Sequence, residues 1–210
     1  MGQKLWGFVG QGVGGGKSYR DARLSLQAFP TIATTGTGSI SAPRACRAMI
    51  LAWGPGGSGS AGNTPSGGGG GAAIMCSVSL ARGQSISWTI GTPGPGAADL
   101  TDGSSATDTV VTLPGGILRA GGGGGGFLAG STPGSGGVAI GVGAQRPGAA
   151  GLAGTSGSSG AAGSFSEIDL SLAGGVSGAT PGAGSQGATG GPASQAGGQG
   201  RVIIVLGQAV

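Results

Sequence analysis

The sequence predicts an all-β fold in which short strands frame a packed bundle of extended, glycine-rich rods, and three observations lead there. Glycine fills 56 of 210 positions, against an ordinary usage of about 7%, and in places it recurs every third residue. Branched and aromatic residues gather in a few short runs that alternate with period two. No window carries the apolar period of an amphipathic helix. Charged residues are 8% and hydrophobic ones 37% of the chain, whereas disorder pairs many charges with few apolar residues. Much of that apolar fraction is alanine, so the expected core is small.

Residues 1–36 read as an attachment arm. They hold Trp6, Phe8, Tyr19 and Phe29, and Arg23-Leu24-Ser25-Leu26-Gln27 alternates as a short strand. Residues 37–210 read as one glycine-rich domain. Its first strand, Cys46 to Trp53, follows Pro43 and stops at Gly54-Pro55-Gly56-Gly57. Ala72 to Leu80 and Ser85 to Ile90 flank a turn at Arg82-Gly83-Gln84 and predict a half-buried hairpin, because Ile74, Cys76, Val78 and Leu80 share one face, as do Ile86, Trp88 and Ile90. Further strands are expected at Thr109 to Leu113 and Ile117 to Ala120. Arg201 to Leu206 is a continuous β-branched run that suits a central strand.

Between residues 121 and 200 only Phe165 to Leu172 looks like ordinary secondary structure. Gly148, Gly151, Gly154, Gly157, Gly160 and Gly163 nevertheless keep a three-residue register, and Gly175, Gly178, Pro181, Gly184, Gly187 and Gly190 keep another. A polyproline-II helix turns once in three residues and makes no internal hydrogen bonds. A bare stripe along it lets two backbones approach until N–H meets C=O. Collagen would need more proline at the other positions, which here are mostly Ala and Ser. A helix surrounded by neighbours needs glycine on several faces, and Gly67 to Gly71 and Gly121 to Gly126 supply it.

Composition narrows the chemistry. The chain has no His and six acids, which removes His-based triads and His metal sites and leaves little acid/base chemistry. Glu167 and Asp169 are a carboxylate pair without a cleft, so no enzyme activity, metal or cofactor is expected. The net charge of +4 is spread thinly, unlike the concentrated charge of nucleic-acid binders. Gly10-Gln11-Gly12-Val13-Gly14-Gly15 and Gly16-Lys17-Ser18 mimic nucleotide loops. Such loops must open a helix in a βαβ unit, whereas a strand pattern follows, and Lys17 and Arg20 fit a solvated turn. Trp53 and Trp88 sit on strand faces and read as core. Cys46 and Cys76 fit either a disulfide or two buried thiols. Met1-Gly2-Gln3-Lys4 precedes no continuous apolar stretch, so no secretory leader is expected.

The order of strands and glycine islands carries a resemblance. It runs through Ala42-Pro43-Arg44-Ala45-Cys46-Arg47-Ala48-Met49-Ile50-Leu51-Ala52-Trp53-Gly54-Pro55-Gly56-Gly57, then Gly67 to Ala73, Arg82-Gly83-Gln84, Ile86 to Gly91, Asp102-Gly103, Thr109 to Ala120 and Gly200 to Val205. This order resembles the glycine-rich domain at the ends of bacteriophage tail fibres. It is also similar to the glycine-rich ligand-binding region of anaplastic lymphoma kinase and to the small adhesins that cap the long fibres of T-even-like phages. The resemblance implies a small jelly-roll-like antiparallel β-sandwich with an inserted bundle of polyglycine-II helices. It further implies a virion protein of the tail fibre or tail tip, made in the host cytoplasm, whose loops bind the host surface. The partners it implies are other tail proteins and a bacterial receptor, an outer-membrane protein or a glycan, with homo-oligomers also compatible. A purely structural virion component, a minor tail or capsid-decorating protein, is the rival expectation.

Two groups of residues are candidates for contact. Trp6, Phe8, Tyr19, Arg20 and Phe29 belong to a segment too short to bury them, so they are expected to dock on a partner. Phe127, Leu128, Arg146 and Phe165 are bulky residues among the glycine rods and are expected either to meet the host surface where rods end or to plug the rod bundle against the sandwich.

Overall fold

The computed structural model describes residues 31–33, 35–129, 132–146, 148, 151, 181–189 and 193–207. Their strands are β1 (Thr31–Ala33), β2 (Thr37–Ser41), β3 (Cys46–Trp53), β4 (Ala73–Leu80), β5 (Ser85–Thr89), β6 (Thr109–Leu113), β7 (Gly116–Ala120), β8 (Ala139–Ile140), β9 (Ala144–Arg146) and β10 (Arg201–Leu206). They form two five-stranded sheets, β1-β10-β3-β4-β9 and β2-β5-β6-β7-β8. Every pairing is antiparallel. The described residues contain no α-helix.

Alternation places the core between the sheets. Cys46, Ala48, Ile50 and Ala52 of β3 and Ile74, Cys76 and Leu80 of β4 meet Ile86 and Trp88 of β5, Val111 and Leu113 of β6 and Leu118 of β7 in one buried cluster. Ala42, Ala48, Ala52, Ala72, Ala120 and Ala139 also belong to the cluster and add little bulk to it. The β10 strand is covered on both sides: Val202 and Ile204 join that cluster, while Ile203 joins Leu51, Trp53 and Ala73 on the opposite face of the first sheet. Its continuous apolar run therefore suits its place between β1 and β3.

Two expectations are corrected. The predicted hairpin is not one, because β4 belongs to the first sheet and β5 to the second. Residues 81–84 arch from sheet to sheet, with Gly83 at φ 83° making the turn. Alternation marks the face of a strand that meets the core, and two strands facing each other across a core alternate just as two paired strands do. In addition, β1 falls within the span read as the arm, yet it pairs with β10 as an edge of the first sheet. The Arg23 to Gln27 strand lies outside the described residues.

The register also decides between the cysteine alternatives. Cys46 sits opposite Leu80 and Cys76 opposite Ile50, an offset of 50 − 46 = 4 residues along β3, or about 13 Å of strand. A disulfide needs Cα atoms within about 7 Å, and both thiols are free and buried. Burial raises the Cys76 pKa above 9.0. A raised folded-state value means that this contribution to stability is fully present below pH 9 and is lost as pH rises through the folded value. Two thiols that react with a thiol reagent only after unfolding, and a smaller alkaline loss of melting temperature in Cys76→Ala than in the parent, are the expected results. No reactive thiol in non-reducing denaturant would contradict the first.

All the long connections leave one end of the sandwich. Residues 54–72, 90–108, 121–138 and 147–200 join β3 to β4, β5 to β6, β7 to β8 and β9 to β10. Their roots form one row in each sheet: Arg146, Ala73, Trp53 and Arg201 are successive partners in the first, and Ala139, Ala120 and Thr109 in the second. The opposite end carries the short turns at 42–45, 81–84, 114–115 and 141–143.

Beyond the roots, glycine-rich runs lie side by side and are joined by backbone hydrogen bonds at three-residue intervals. The run 54–61 is central. Gly54, Gly57 and Ser60 donate to Ala72, Gly69 and Ser66 at 2.8, 2.9 and 2.9 Å, and Ser58 and Ala61 donate to Ser104 and Thr101 at 3.0 Å each. Gly56 donates to Gly198 at 2.9 Å. Its carbonyls point in further directions, Pro55 and Ser58 to the N–H groups of Gly123 and Gly126, Gly57 and Ser60 to Ser185 and Ala188, and Gly56 to Gly94. Backbone groups that would be orphaned in a buried loop are thus satisfied by neighbouring runs. Buried serines close the remaining gaps: Ser194 Oγ accepts from Ala97 N–H at 2.8 Å and donates to the Gly59 carbonyl at 2.6 Å.

Candidate functional site at the tips of the runs

The first three connections that leave the sandwich reverse at tips far from it, so these tips are where sequence can vary without disturbing the sheets. The first tip comprises Gly62, Asn63 and Thr64, the second Asp99 and Leu100, and the third Phe127 and Leu128. Backbone hydrogen bonds hold them together: Ala61 N–H donates to Thr101 and Gly62 N–H to Ala188, at 3.0 and 2.9 Å. Asp102 joins the second tip to the third, its carboxylate accepting from Leu128 N–H at 2.7 Å.

The third tip is fixed from several sides. Phe127 N–H donates to Thr132 at 2.8 Å, and its carbonyl accepts from Ser66 Oγ at 2.6 Å. The aromatic ring is left 47% exposed on a backbone that cannot drift. Leu128 is half-buried, and a Cβ on Gly62 would meet its Cδ2 at 2.7 Å, so the first and third tips touch there. At the second tip Leu100 is 68% exposed and adopts φ 55°. A left-handed conformation in a non-glycine residue costs of order 1–2 kcal/mol. The turn is closed by Thr101 Oγ1, which donates to the Ala98 carbonyl at 2.7 Å. Two exposed apolar side chains on braced backbones, with the carboxylates of Asp99 and Asp102 among them, make a surface suited to contact. Among the described residues no group of His, Cys, Asp or Glu is arranged to hold a metal ion.

The candidates from sequence separate here. Phe127 and Leu128 share a tip. Arg146 ends β9 at the root of the fourth connection, the opposite end of the runs, about 20 Å away at the reach of six extended residues. Phe165, Trp6, Phe8, Tyr19, Arg20 and Phe29 lie outside the described residues, as do Gly154, Gly157, Gly160 and Gly163. Leu100, Asp99 and Asn63 went unnoticed in the sequence, because no local pattern marks a left-handed leucine. No protein-family model matches the chain, and no curated protein matches it either.

Proposed function

We propose that this chain is a phage virion protein of the tail fibre or tail tip, attached at the turn end and binding the host cell surface with the tips of its glycine-rich runs. The observation that carries the reading is polarity. β10 runs away from the roots, β1 runs antiparallel to it and therefore toward them, and Gly207 N–H reaches the Arg47 carbonyl near the start of β3. The chain thus joins the sandwich from the turn end, and Phe127 and Leu100 stand at the other. The finer fold belongs to the same proposal. Hydrogen bonds at three-residue intervals, sent from one run to several neighbours, support polyglycine-II helices, and two antiparallel sheets with repeated sheet-to-sheet arches support a jelly-roll-like sandwich.

The test is binding of the purified, folded protein to a panel of bacterial cells, with competition against phage adsorption. Saturable binding that blocks adsorption, weakened about ten-fold or more in Leu100→Ser/Phe127→Ser without change in melting, is the expected result. A folded protein that binds no cells, while fractionated particles contain it, would leave the purely structural virion component as the better reading.

A further inference from the structure

The turn end, opposite the tips, carries two features that the tip reading does not use. The first is a cleft of about 220 Å³ lined by Val78, Leu113, Ile117, Leu118 and Val142, with Cys76 also in its wall. It opens between β4, the β6–β7 turn and the β8–β9 turn. Its rim is apolar and in solvent, Val142 being 70% and Ile117 59% exposed. An apolar cavity of about 150 Å³ accommodates benzene, so this cleft has room for one aromatic or branched side chain.

The second feature is charge. Arg44, Arg47 and Arg82 are exposed at this end. The three acids of the described residues are elsewhere: Asp99 and Asp102 at the tips, and Asp108 near the roots, paired with Arg119 at 3.4 Å. Hydrogen bonds between Ala42 and Gln84 and between Gly83 and Ala42 draw the Arg44 and Arg82 turns together. Arg47 Nε donates to Ser77 Oγ at 2.8 Å, and Ser77 lines the cleft. Arg47 and Ser77 alternate with the core-facing Cys46, Ala48, Cys76 and Val78, so the guanidinium lies on the outer face of the first sheet, held against the strand whose residues 76–78 form one wall of the cleft, with its terminal nitrogens directed to solvent where they can take a carboxylate bidentately.

We infer that the turn end is a docking surface for an acidic polypeptide segment that seats one aromatic or branched side chain in the cleft and places carboxylates on Arg44, Arg47 and Arg82. An anionic membrane or a nucleic acid would use the arginines and leave the cleft empty. A neutral apolar ligand would use the cleft and ignore the charge. Only an acidic peptide with an apolar anchor uses both, and a desolvated anchor with a polar rim to one side of it is the usual anatomy of an interface. The inference stands whatever the tips bind.

The experiment pans a display library of roughly twelve-residue random peptides on the full chain, with counter-selection on Arg47→Glu/Ile117→Asp. Both positions are exposed, and an unchanged melting temperature verifies the variant; Val142→Asp is the second variant. Enriched peptides should combine Asp or Glu with one Phe, Trp, Leu or Ile. A synthetic copy should perturb amide signals of Val78, Leu118 and Val142, bind about ten-fold or more weakly to each variant, and weaken as salt rises from roughly 50 to 300 mM. The inference is overturned if nothing enriches over the double variant, if the enriched peptides lack acids, if the shifts fall at the tips, or if anionic vesicles or DNA bind this end and the peptide fails to displace them.

Discussion

Gly57→Val should destabilise the protein by more than about 3 kcal/mol, the upper end of overpacking penalties, and lower its melting temperature by roughly 10 °C. A Cβ at this position would fall inside the Gly124 carbonyl and within 2.8 Å of the Gly123 oxygen. Those are backbone atoms and cannot rotate aside. The run that holds them is itself tied to its other neighbours, Gly103 N–H and Ala106 N–H donating to Gly126 and Gly123 at 2.7 and 2.9 Å. Making room at Gly57 therefore breaks hydrogen bonds in several runs together. Gly115→Ala is the matched control, since a Cβ there meets nothing within 4 Å, and it should melt within a degree or two of the parent. If Gly57→Val and Gly115→Ala melt together, the runs are loosely associated loops and the packed-bundle account fails.

How much of this was legible depends on where the information lies. β3, β4, β5, β6, β7 and β10 announce themselves, because each must present branched or aromatic residues to a core. β1, β2, β8 and β9 were missed. Thr37-Gly38-Ser39-Ile40-Ser41 has one large apolar residue, and β8 has two residues in all; each is a strand because a neighbour offers it a ladder. Sheet membership was illegible for β4 and β5, since facing and pairing leave the same alternation. Three-residue glycine registers predicted packed runs, but most of those registers lie outside the described residues, and the central described run does not carry one. Gly54-Pro55-Gly56-Gly57-Ser58-Gly59-Ser60-Ala61 has different neighbours on different sides, so it takes glycine where a backbone closes in and serine where a hydroxyl completes a bond. At the tips, Phe127 and Leu128 stood out as bulk among glycine. Leu100 did not, because its exposure and its φ are set by the closure of its turn.

Trp88→Ala should be the most costly change in the sandwich itself, at about 3–5 kcal/mol, and its partner position provides the check. Trp88 is 9% exposed and pairs with Gly38 on β2, and a Cβ on Gly38 would sit 2.7 Å from Cε2 of the indole. The ring therefore lies over a glycine that an edge strand would otherwise disfavour, the arrangement by which an aromatic covers a bare strand position. Gly38→Val alone should be strongly destabilising, because it displaces the indole from the core. In the Trp88→Ala background the same substitution has space to fill and restores β-propensity, so its effect should shrink or change sign. The coupling energy of the double-mutant cycle should reach at least about 2 kcal/mol. Additive effects of the two substitutions would mean that the ring does not rest on Gly38, and the packing of β2 against β5 would then have to be redrawn.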